Sequence, residues 1–283
     1  MSPSPAVEPR IAVLLACHNR RDTTLACLHA LFACDLPASV GVNVLLVDDG
    51  SSDGTTDAVR AAFPSVRILA GDGSLFWNGA MSMAFSDARK AGYSHYLWLN
   101  DDTVLRPDAL RRLFTVSAEF GDRTIVVGST VDAATGVHTY GGICQSKLVR
   151  SRFSLIPISE SVPKDCDTFT GNCVLIPEPV AKVIGGIDSS YTHGFGDYDY
   201  GLRARQGGLR AVVAPGVIGT CSWNKIDNTF RDPRFTRWAK LKLMIGPKGL
   251  PFNEWKLFAR RHMGILWPLY WLWPYFRVVA LGK

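Results

Sequence analysis

The sequence predicts an α/β fold in which helices flank a mostly parallel central sheet. Short apolar runs rich in Val, Ile and Leu, each of a length suited to a buried strand, lie at residues 11–17, 42–47, 66–69, 96–99 and 125–127. Helical patterns lie between them, at residues 22–33, 55–62, 80–91 and 108–119. Strands that alternate with helices are typical of parallel βαβ units, because a parallel connection needs a crossover.

The pattern is less regular after residue 128, where residues 128–167 contain only short β-like pieces. An ordered stretch follows, with an apolar run at 173–176, a helix that opens at 177–179, a polar loop at 193–199, a short helix to Gln206 and a strand at 209–213. No repeat or low-complexity linker interrupts the chain. We therefore predict one domain over residues 1–230, with halves at about 10–128 and 129–230, and a tail at 231–283.

Composition supports a globular protein and places its basic character in the tail. Of the 283 residues, 47% are hydrophobic and 20% are charged, which is enough to bury a core. The tail has eleven Lys or Arg and two acids, so the net charge of +6 divides into +9 there and −3 over residues 1–230. Because the body is acidic, no nucleic-acid partner is expected.

The seven cysteines and the polar, Pro-rich start indicate the compartment. The cysteines are odd in number and include no CxxC pair, which favours neither a disulfide framework nor a zinc knuckle. The start has no signal-peptide pattern. We expect a reducing, cytoplasmic location.

Polar side chains follow each of the first four apolar runs. They form the groups His18-Asn19-Arg20, Asp48-Asp49-Gly50-Ser51, Asp72-Gly73-Ser74 and Asn100-Asp101-Asp102. In open α/β sheets ligands bind beyond the carboxyl ends of the strands, so these groups are expected to form one polar rim.

Two of these groups suggest chemistry, each with a simpler alternative. Asp48, in VDDGSSDGT, is placed to accept hydrogen bonds from a base or ribose, or the run is only a turn that caps a helix. The adjacent Asp101 and Asp102, in YLWLNDDT, repel each other and need a cation, a basic partner or open water. A divalent ion completed by phosphate oxygens would meet that need, and a solvated loop before the helix that Pro107 starts is the alternative.

The order of strand-CHNR, strand-VDDGSSDGT, GDG with WNGA, and LWLNDDT resembles the nucleotide-sugar half of the family 2 glycosyltransferases, which have the Rossmann-like GT-A fold. The resemblance implies a nucleotide-diphosphate sugar donor bound by residues 10–128, with Mg²⁺ or Mn²⁺ as cofactor. Position by position, the resemblance implies that Asp48 contacts the base. It also implies that the backbone of Ala16 and Cys17, with Arg20, lies along the base and ribose.

The same resemblance covers the rest of the donor side. Asn100 stands where many members have the first Asp of a DxD motif and keeps a ribose contact possible; Asp101 follows it, and Asp102 falls on the metal ligand. Residues 71–80, which include Asp72, resemble the loop around the donor. Trp77 and Asn78 then lie near the sugar or diphosphate, although Trp77 is equally well explained as a core ring.

TGNCVLIP resembles the segment that leads to the acceptor side, with Gly171 and Asn172 in its loop. FGDYDYGLRARQGG resembles the family's acidic motif, commonly Glu-Asp-x-Asp followed by Arg-Ala and Gly. The match puts Gly196 where Glu is usual, Asp197 on the general base, and Asp199 and Arg203 on the later positions. Because Asp199 and Arg203 are four apart on a helix, we interpret Asp199 as mainly structural. Asp197 as a plain N-cap is the alternative to the base.

One departure concerns the cation. Many members have a metal-binding His after the next strand, but the matching segment here, APGVIGTCSWN, has none. His193, four residues before Asp197, is a substitute from another direction or an ordinary polar contact. Either the ion has fewer protein ligands here or metal dependence is weak.

The tail combines its basic residues with ten aromatic side chains from Trp238 to Phe276. Residues 264–281 are nearly as long as the roughly 20 residues that span a bilayer, but Pro268, Pro274 and Arg277 interrupt them. Interfacial helices on anionic lipid therefore fit better, which would make the protein peripheral at the inner face of the cytoplasmic membrane. Docking onto the body, or onto a partner subunit in a homodimer, is the alternative.

Together these patterns predict an inverting glycosyltransferase. Asp102 with a divalent cation would offset charge on the leaving diphosphate, and Asp197 would deprotonate the acceptor hydroxyl. The motifs most resemble rhamnosyltransferases of cell-surface polysaccharide synthesis, with dTDP-rhamnose as donor and a saccharide or lipid-linked saccharide as acceptor. Two alternatives stay open: a sugar-phosphate nucleotidyltransferase, which normally has a Gly-rich loop that CHNRRDTT lacks, and a non-catalytic nucleotide-sugar-binding protein.

Overall fold

The computed structural model describes residues 10–36, 40–223, 227 and 229–281. Its strands are β1 Arg10–Cys17, β2 Gly41–Asp48, β3 Arg67–Ala70, β4 His95–Leu99, β5 Val104–Leu105, β6 Thr124–Val131, β7 His138–Tyr140, β8 Gly142–Gln145, β9 Phe153–Leu155, β10 Lys164–Asp165, β11 Thr168–Phe169, β12 Cys173–Pro177 and β13 Arg210–Thr220. Its α-helices are α1 Arg21–Phe32, α2 Thr55–Ala62, α3 Phe76–Arg89, α4 Ala109–Phe120, α5 Glu178–Ile184, α6 Gly196–Gln206, α7 Arg237–Met244, α8 Phe252–His262 and α9 Trp267–Phe276.

The main sheet has the order β10-β13-β6-β12-β4-β1-β2-β3, with β5 beside β13 and β7 beside β6. Strands β1 to β4 pair in parallel, because a helix connects each to the next. β12 enters antiparallel between β4 and β6, and β13 returns parallel to β6. The predicted α/β class with a mostly parallel sheet and flanking helices is confirmed.

Two apolar layers cover the sheet. One cluster, with α1, α2 and α4, includes the fully buried Ile11, Leu28 and Leu113. The other, with α3, α5 and α6, includes Phe85, Trp98 and Tyr200. Strands buried on both faces explain why the sequence shows continuous apolar runs there rather than alternation. A smaller antiparallel sheet, β11-β8-β9, lies beside α6.

Two of the differences from the sequence prediction concern elements that border the site. α3 begins at Phe76, not at residue 80, because the Asp49 carboxylate accepts the Phe76 backbone N–H at 2.9 Å and fixes the turn from another strand. Trp77 and Asn78 are thus helical, and the loop is shorter than predicted. β13 runs on to Thr220, past Pro215 and Gly216. Its register shifts accommodate both residues, which are unusual inside a regular strand.

The tail divides into a packed part and an exposed part. In α8, Trp255, Phe258 and Ala259 are buried against Tyr191 and Leu202 of the body. After a 3₁₀ turn at Gly264–Leu266, one side of α9 packs against the cluster that contains Trp255 and Phe258 of α8, and its other side is exposed. The exposed apolar side chains, here called the outer stripe, are Ile265, Leu266, Leu269, Leu272, Trp273 and Phe276. Within the described residues, no helix has the length and apolar character needed to cross a membrane.

Candidate active site

Two aspartates at the end of β2 organise the loops at this edge of the sheet. Asp48, only 5% exposed, accepts the Ser51 backbone N–H at 2.8 Å and the Thr56 hydroxyl hydrogen. Asp49 accepts backbone N–H groups from Gly73 at 2.8 Å and from Phe76 at 2.9 Å. Asp48 therefore holds its own loop, and Asp49 ties that loop to residues 71–75. Asp49 was not singled out in the sequence, because a carboxylate that caps a distant loop leaves no local signal.

The remaining predicted donor residues of the first strands lie around these loops. The Cys17 carbonyl accepts the Asp49 N–H at 2.9 Å, and the Cys17 side chain is buried beside the half-buried Ala16. Asp72 is exposed, and its carboxylate accepts the backbone N–H and hydroxyl of Ser74, which lower its pKa. Asp72 thus shapes the turn on the solvent side of the rim.

Arg20 neutralises the paired acids that follow β4. One guanidinium nitrogen donates to Asp101 Oδ1 at 2.8 Å and to Asp102 Oδ2 at 2.9 Å. Burial raises the pKa of Asp101 to about 6, although Arg20 opposes this shift. The Asp101 side chain is 5% exposed and that of Asp102 is 22% exposed. Asp102 is therefore the acid of the pair that faces the open edge.

Trp77 links the loop after β4 to the loop before β12. Its indole N–H donates to Asn100 Oδ1 at 2.7 Å, directly before the acidic pair. Its ring also covers Gly171, where an added Cβ would lie 2.5 Å from the ring and 3.5 Å from Asp197 Cβ. Trp77 is half-buried, and its ring stands edge-on to Trp98. It is therefore both a packed ring and a polar link between two loops of the site.

Asp197 lies in the first turn of α6 and accepts two backbone N–H groups, from Gly171 at 2.9 Å and from Tyr198 at 2.8 Å. Burial raises the pKa of this carboxyl to about 6, and the two N–H groups limit that rise. A carboxyl with a pKa near the working pH is well suited to proton transfer. Through Gly171 and Trp77, Asp197 is connected to Asn100 and so to the edge that carries Asp102.

Asn78 does not reach the open edge. Its side chain is fully buried, and its amide nitrogen donates to the backbone carbonyls of Asp188 at 2.9 Å and Tyr191 at 2.6 Å. The side chain thus holds the loop before α6. Asn78 is a structural link in this protein, and the sugar contact expected for it has no exposed atom to make it.

Asp199 and Arg203 form a buried ion pair, Nε to Oδ2 at 2.7 Å. The tail adds two more donors to Asp199, His262 at 2.8 Å and Arg261 at 3.1 Å. Burial would raise the pKa of Asp199, but these partners outweigh it and lower the pKa to about 2. Both tail residues lie more than fifty positions away in the sequence, which is why sequence reasoning missed them.

The segment in which the resemblance leads us to expect a His contains none, and Cys221 follows directly after β13 in it. Its thiol donates to Asp102 Oδ1 at 3.3 Å, and the side-chain amide of Asn172 donates to its sulfur at 3.4 Å. The Asn172 carbonyl in turn accepts the Asn100 N–H at 3.0 Å. His193 stands elsewhere, edge-on to Phe76, and burial lowers its pKa. Cys221, not His193, contacts the acidic pair.

Asp102 is a candidate ligand for a divalent cation, and its oxygens accept from Arg20 and Cys221 in this structure. Within residues 10–36, 40–223, 227 and 229–281, no group of three or more His, Cys, Asp or Glu side chains is arranged around a metal position. Asp102 supplies the oxygen ligand that Mg²⁺ and Mn²⁺ prefer, and it is partly exposed. Diphosphate oxygens and water would have to complete the shell.

The chain is similar to known proteins over most of its length. A family model described as "Glycosyltransferase like family 2" matches residues 9–240. The chain is 23% identical over 216 residues to the N-acetylglucosaminyl-diphospho-decaprenol L-rhamnosyltransferase of Mycobacterium tuberculosis (strain CDC 1551 / Oshkosh), with 68% of this chain and 69% of that protein covered.

Two solved structures share the fold. The mannosyltransferase PcManGT from Pyrobaculum calidifontis, in complex with GDP-Man and Mn²⁺, has a TM-score of 0.55 at 17% identity and covers 99% of this chain and 77% of that one. GalNAc-T7 with UDP, GalNAc and Mn²⁺ has a TM-score of 0.61 at 12% identity, with 88% and 48% covered.

Proposed function

The chain belongs to the glycosyltransferase-like family 2 and has the GT-A fold, and on that premise we propose that it is an inverting transferase that moves a sugar from a nucleotide-diphosphate sugar to a saccharide acceptor. The observation that supports this most directly is the linkage from Asp197 through Gly171 and Trp77 to Asn100 and the acidic pair. It brings a recessed carboxyl with a raised pKa to the edge where a donor diphosphate would be bound.

The donor occupies the edge formed by the loops after β1, β2 and β4. The backbone of Ala16 and Cys17, with Asp48, contacts the base, and Asn100 contacts the ribose. Asp48 has both oxygens engaged in its own loop, so it presents a fixed acceptor rather than a mobile one. Arg20 positions the acidic pair beneath the diphosphate.

Asp102 is the residue that would hold the divalent cation. When bound, such an ion offsets the negative charge that grows on the departing diphosphate. Arg20 lies 2.9 Å from the same carboxylate and adds a fixed positive charge there. This second charge is consistent with a site that has few protein ligands for the ion.

Asp197 takes the proton from the acceptor hydroxyl. As that oxygen forms its bond to the anomeric carbon, the bond from this carbon to the diphosphate oxygen breaks, and its electron pair leaves with the nucleoside diphosphate. Attack from the face opposite the leaving group inverts the anomeric centre. The N–H groups of Gly171 and Tyr198 hold the carboxylate in place during this step.

The relative from Mycobacterium tuberculosis is named for a rhamnose donor and a diphospho-decaprenol acceptor. We extend this to a rhamnosyl donor, with dTDP-rhamnose as the first candidate, and to a lipid-linked saccharide acceptor in cell-surface polysaccharide synthesis. The outer stripe supports membrane association, because six apolar side chains are exposed along one side of the 3₁₀ turn and α9. The location that follows is the inner face of the cytoplasmic membrane.

The test is turnover with a panel of nucleotide sugars and Mg²⁺ or Mn²⁺, followed as release of nucleoside diphosphate. We expect release that depends on an acceptor and is lost in Asp197→Asn while donor binding is retained. The matched control is Asp57→Asn, which changes an exposed acid on α2. Pyrophosphate release from a nucleoside triphosphate would support a nucleotidyltransferase instead. Donor binding without turnover across the panel would support a non-catalytic binding protein.

A further inference from the structure

A basic pocket lies on the flank of the molecule, at the far end of α6 from Asp197. It is a cavity of about 330 Å³ between the β8–β9 loop, α6 and the end of α8. Its lining includes the cationic side chains Lys147, Arg150, Arg205 and Arg261, together with His262 and the backbone of Gly264. Within the part of the chain that the structure describes, the lining contains no carboxylate.

The cations of this pocket are only partly neutralised. Arg205 pairs with Asp167 at 2.8 Å, and Arg261 pairs with Asp188 at 2.6 Å and with Asp199 at 3.1 Å. Lys147 and Arg150 are exposed and form no ion pair with any described residue. The pocket therefore carries excess positive charge, because Lys147 and Arg150 are unpaired within the described residues while Arg205 and Arg261 are held by ion pairs.

Exposed aliphatic side chains flank the pocket on two separate segments. Leu148 is 91% exposed and Val149 is 45% exposed, directly between Lys147 and Arg150. On the other wall Ile265, 93% exposed, follows Gly264 and begins the outer stripe. The two walls lie close together, because a Cβ added at Gly264 would lie 3.7 Å from Arg150 Nε. Apolar groups on both sides of a cationic cavity match a ligand that has an anionic head and an apolar body.

We propose that this pocket binds the phosphate group of an anionic membrane lipid, with Lys147 and Arg150 contacting the phosphate oxygens while Leu148 and the outer stripe enter the apolar layer. Guanidinium and ammonium groups are the usual partners of phosphate. This site lies outside the sugar-transfer machinery, and it gives the proposed membrane association a specific headgroup contact in the body of the protein.

The experiment measures binding by the full chain without any nucleotide sugar, so its outcome does not depend on transfer activity. Inorganic phosphate and short-chain phosphatidic acid below its micelle concentration are compared by calorimetry, followed by flotation with phosphatidylcholine vesicles with and without phosphatidic acid. We expect the lipid to bind more tightly than inorganic phosphate. In K147E/R150E, affinity for phosphatidic acid should fall by about tenfold or more, since each of the two basic side chains contributes about fivefold near an anionic surface.

Two variants serve as controls. K90E/R111E makes the same change in net charge, directly after α3 and on α4, at two exposed side chains that are not part of the lining, and it should bind as the wild type does. I265S/L269S should lose the advantage of the lipid over inorganic phosphate and keep the phosphate affinity. Equal losses in K90E/R111E and K147E/R150E, unchanged binding in K147E/R150E, or equal affinities for phosphate and lipid would overturn the proposal. Vesicle binding that is lost in I265S/L269S but unchanged in K147E/R150E would also overturn the proposal, although the protein would still associate with membranes through the outer stripe.

Discussion

The Asn78 side chain leaves no room for a side chain at Gly196: a Cβ added at Gly196 would lie 1.6 Å from Asn78 Oδ1. This contact favours a residue without a side chain at position 196, where the resemblance leads us to expect Glu. The Asn78 side chain occupies the space at the start of α6, and its amide holds the loop through Asp188 and Tyr191. The departure from the motif is thus coupled to a structural link from α3.

The first prediction follows from this contact. Gly196→Ala should destabilise the protein by about 1–3 kcal/mol, because a buried position is overpacked. Asn78→Ala should destabilise by a similar amount through two lost buried hydrogen bonds. In the double variant the steric part disappears, so the loss should be smaller than the sum. Denaturant melts of the four proteins measure this coupling. Additive losses would show that the two residues do not compete for space.

The pH dependence of transfer tests the assignment of the base. Asp197 must be ionised to accept a proton, and its pKa is about 6. We expect kcat/KM to rise with pH by about tenfold per unit below 6 and to level off above it. Asp197→Asn should lower kcat by about a hundredfold or more and remove this limb of the profile. Its amide oxygen can still accept the Gly171 N–H, so the fold should be retained. A flat profile between pH 5 and 7 in the wild type, at about one unit either side of the pKa, would contradict the assignment.

Trp77 offers a test of the link between the two sides of the site. Trp77→Phe keeps an aromatic ring but removes the N–H that donates to Asn100 Oδ1. A single hydrogen bond of this kind is worth about 1 kcal/mol, so we expect donor affinity to fall by about fivefold. Trp273→Phe, an exposed ring on α9, is the matched control. Calorimetry with the nucleoside diphosphate separates the two. Unchanged affinity in Trp77→Phe would reduce Trp77 to a packing residue.

Removal of divalent cations tests the role of Asp102. If this carboxylate holds the ion, chelation and Asp102→Asn remove the same contribution, and their effects on kcat should not add. Each should lower transfer by about tenfold or more, since the lost term is charge stabilisation of a leaving diphosphate. Residual activity should remain, because Arg20 keeps one positive charge at the edge. Asp57→Asn should respond to chelation as the wild type does. A further drop on chelation of Asp102→Asn would place the ion elsewhere.

Local patterns in the sequence predicted the sheet and the polar groups at its edge because the information there is local. The runs that became β1, β2 and β4 end in the polar groups that the structure places around one edge. What the sequence could not give are contacts between distant segments. The cap of α3 by Asp49 and the approach of Cys221 to Asp102 depend on the fold as a whole. The same holds for the seating of His262 on Asp199, which no spacing rule predicts.

The tail supplies the last prediction, because its helices α8 and α9 have different roles. Phe258 in α8 is fully buried and packs between Phe153 and Phe195, so Phe258→Ala should destabilise the whole protein by about 3–5 kcal/mol. Trp273, 54% exposed in α9, should change stability by less than about 0.5 kcal/mol when replaced by Ala. Thermal or denaturant unfolding followed by tryptophan fluorescence and circular dichroism measures both.

The same division between α8 and α9 predicts how shortened chains behave. A chain shortened after Met263 should fold, whereas one that also lacks residues 255–263 should not, since His262 and Arg261 complete the buried site of Asp199. Equal stability of the two shortened chains would show that α8 is not part of the domain.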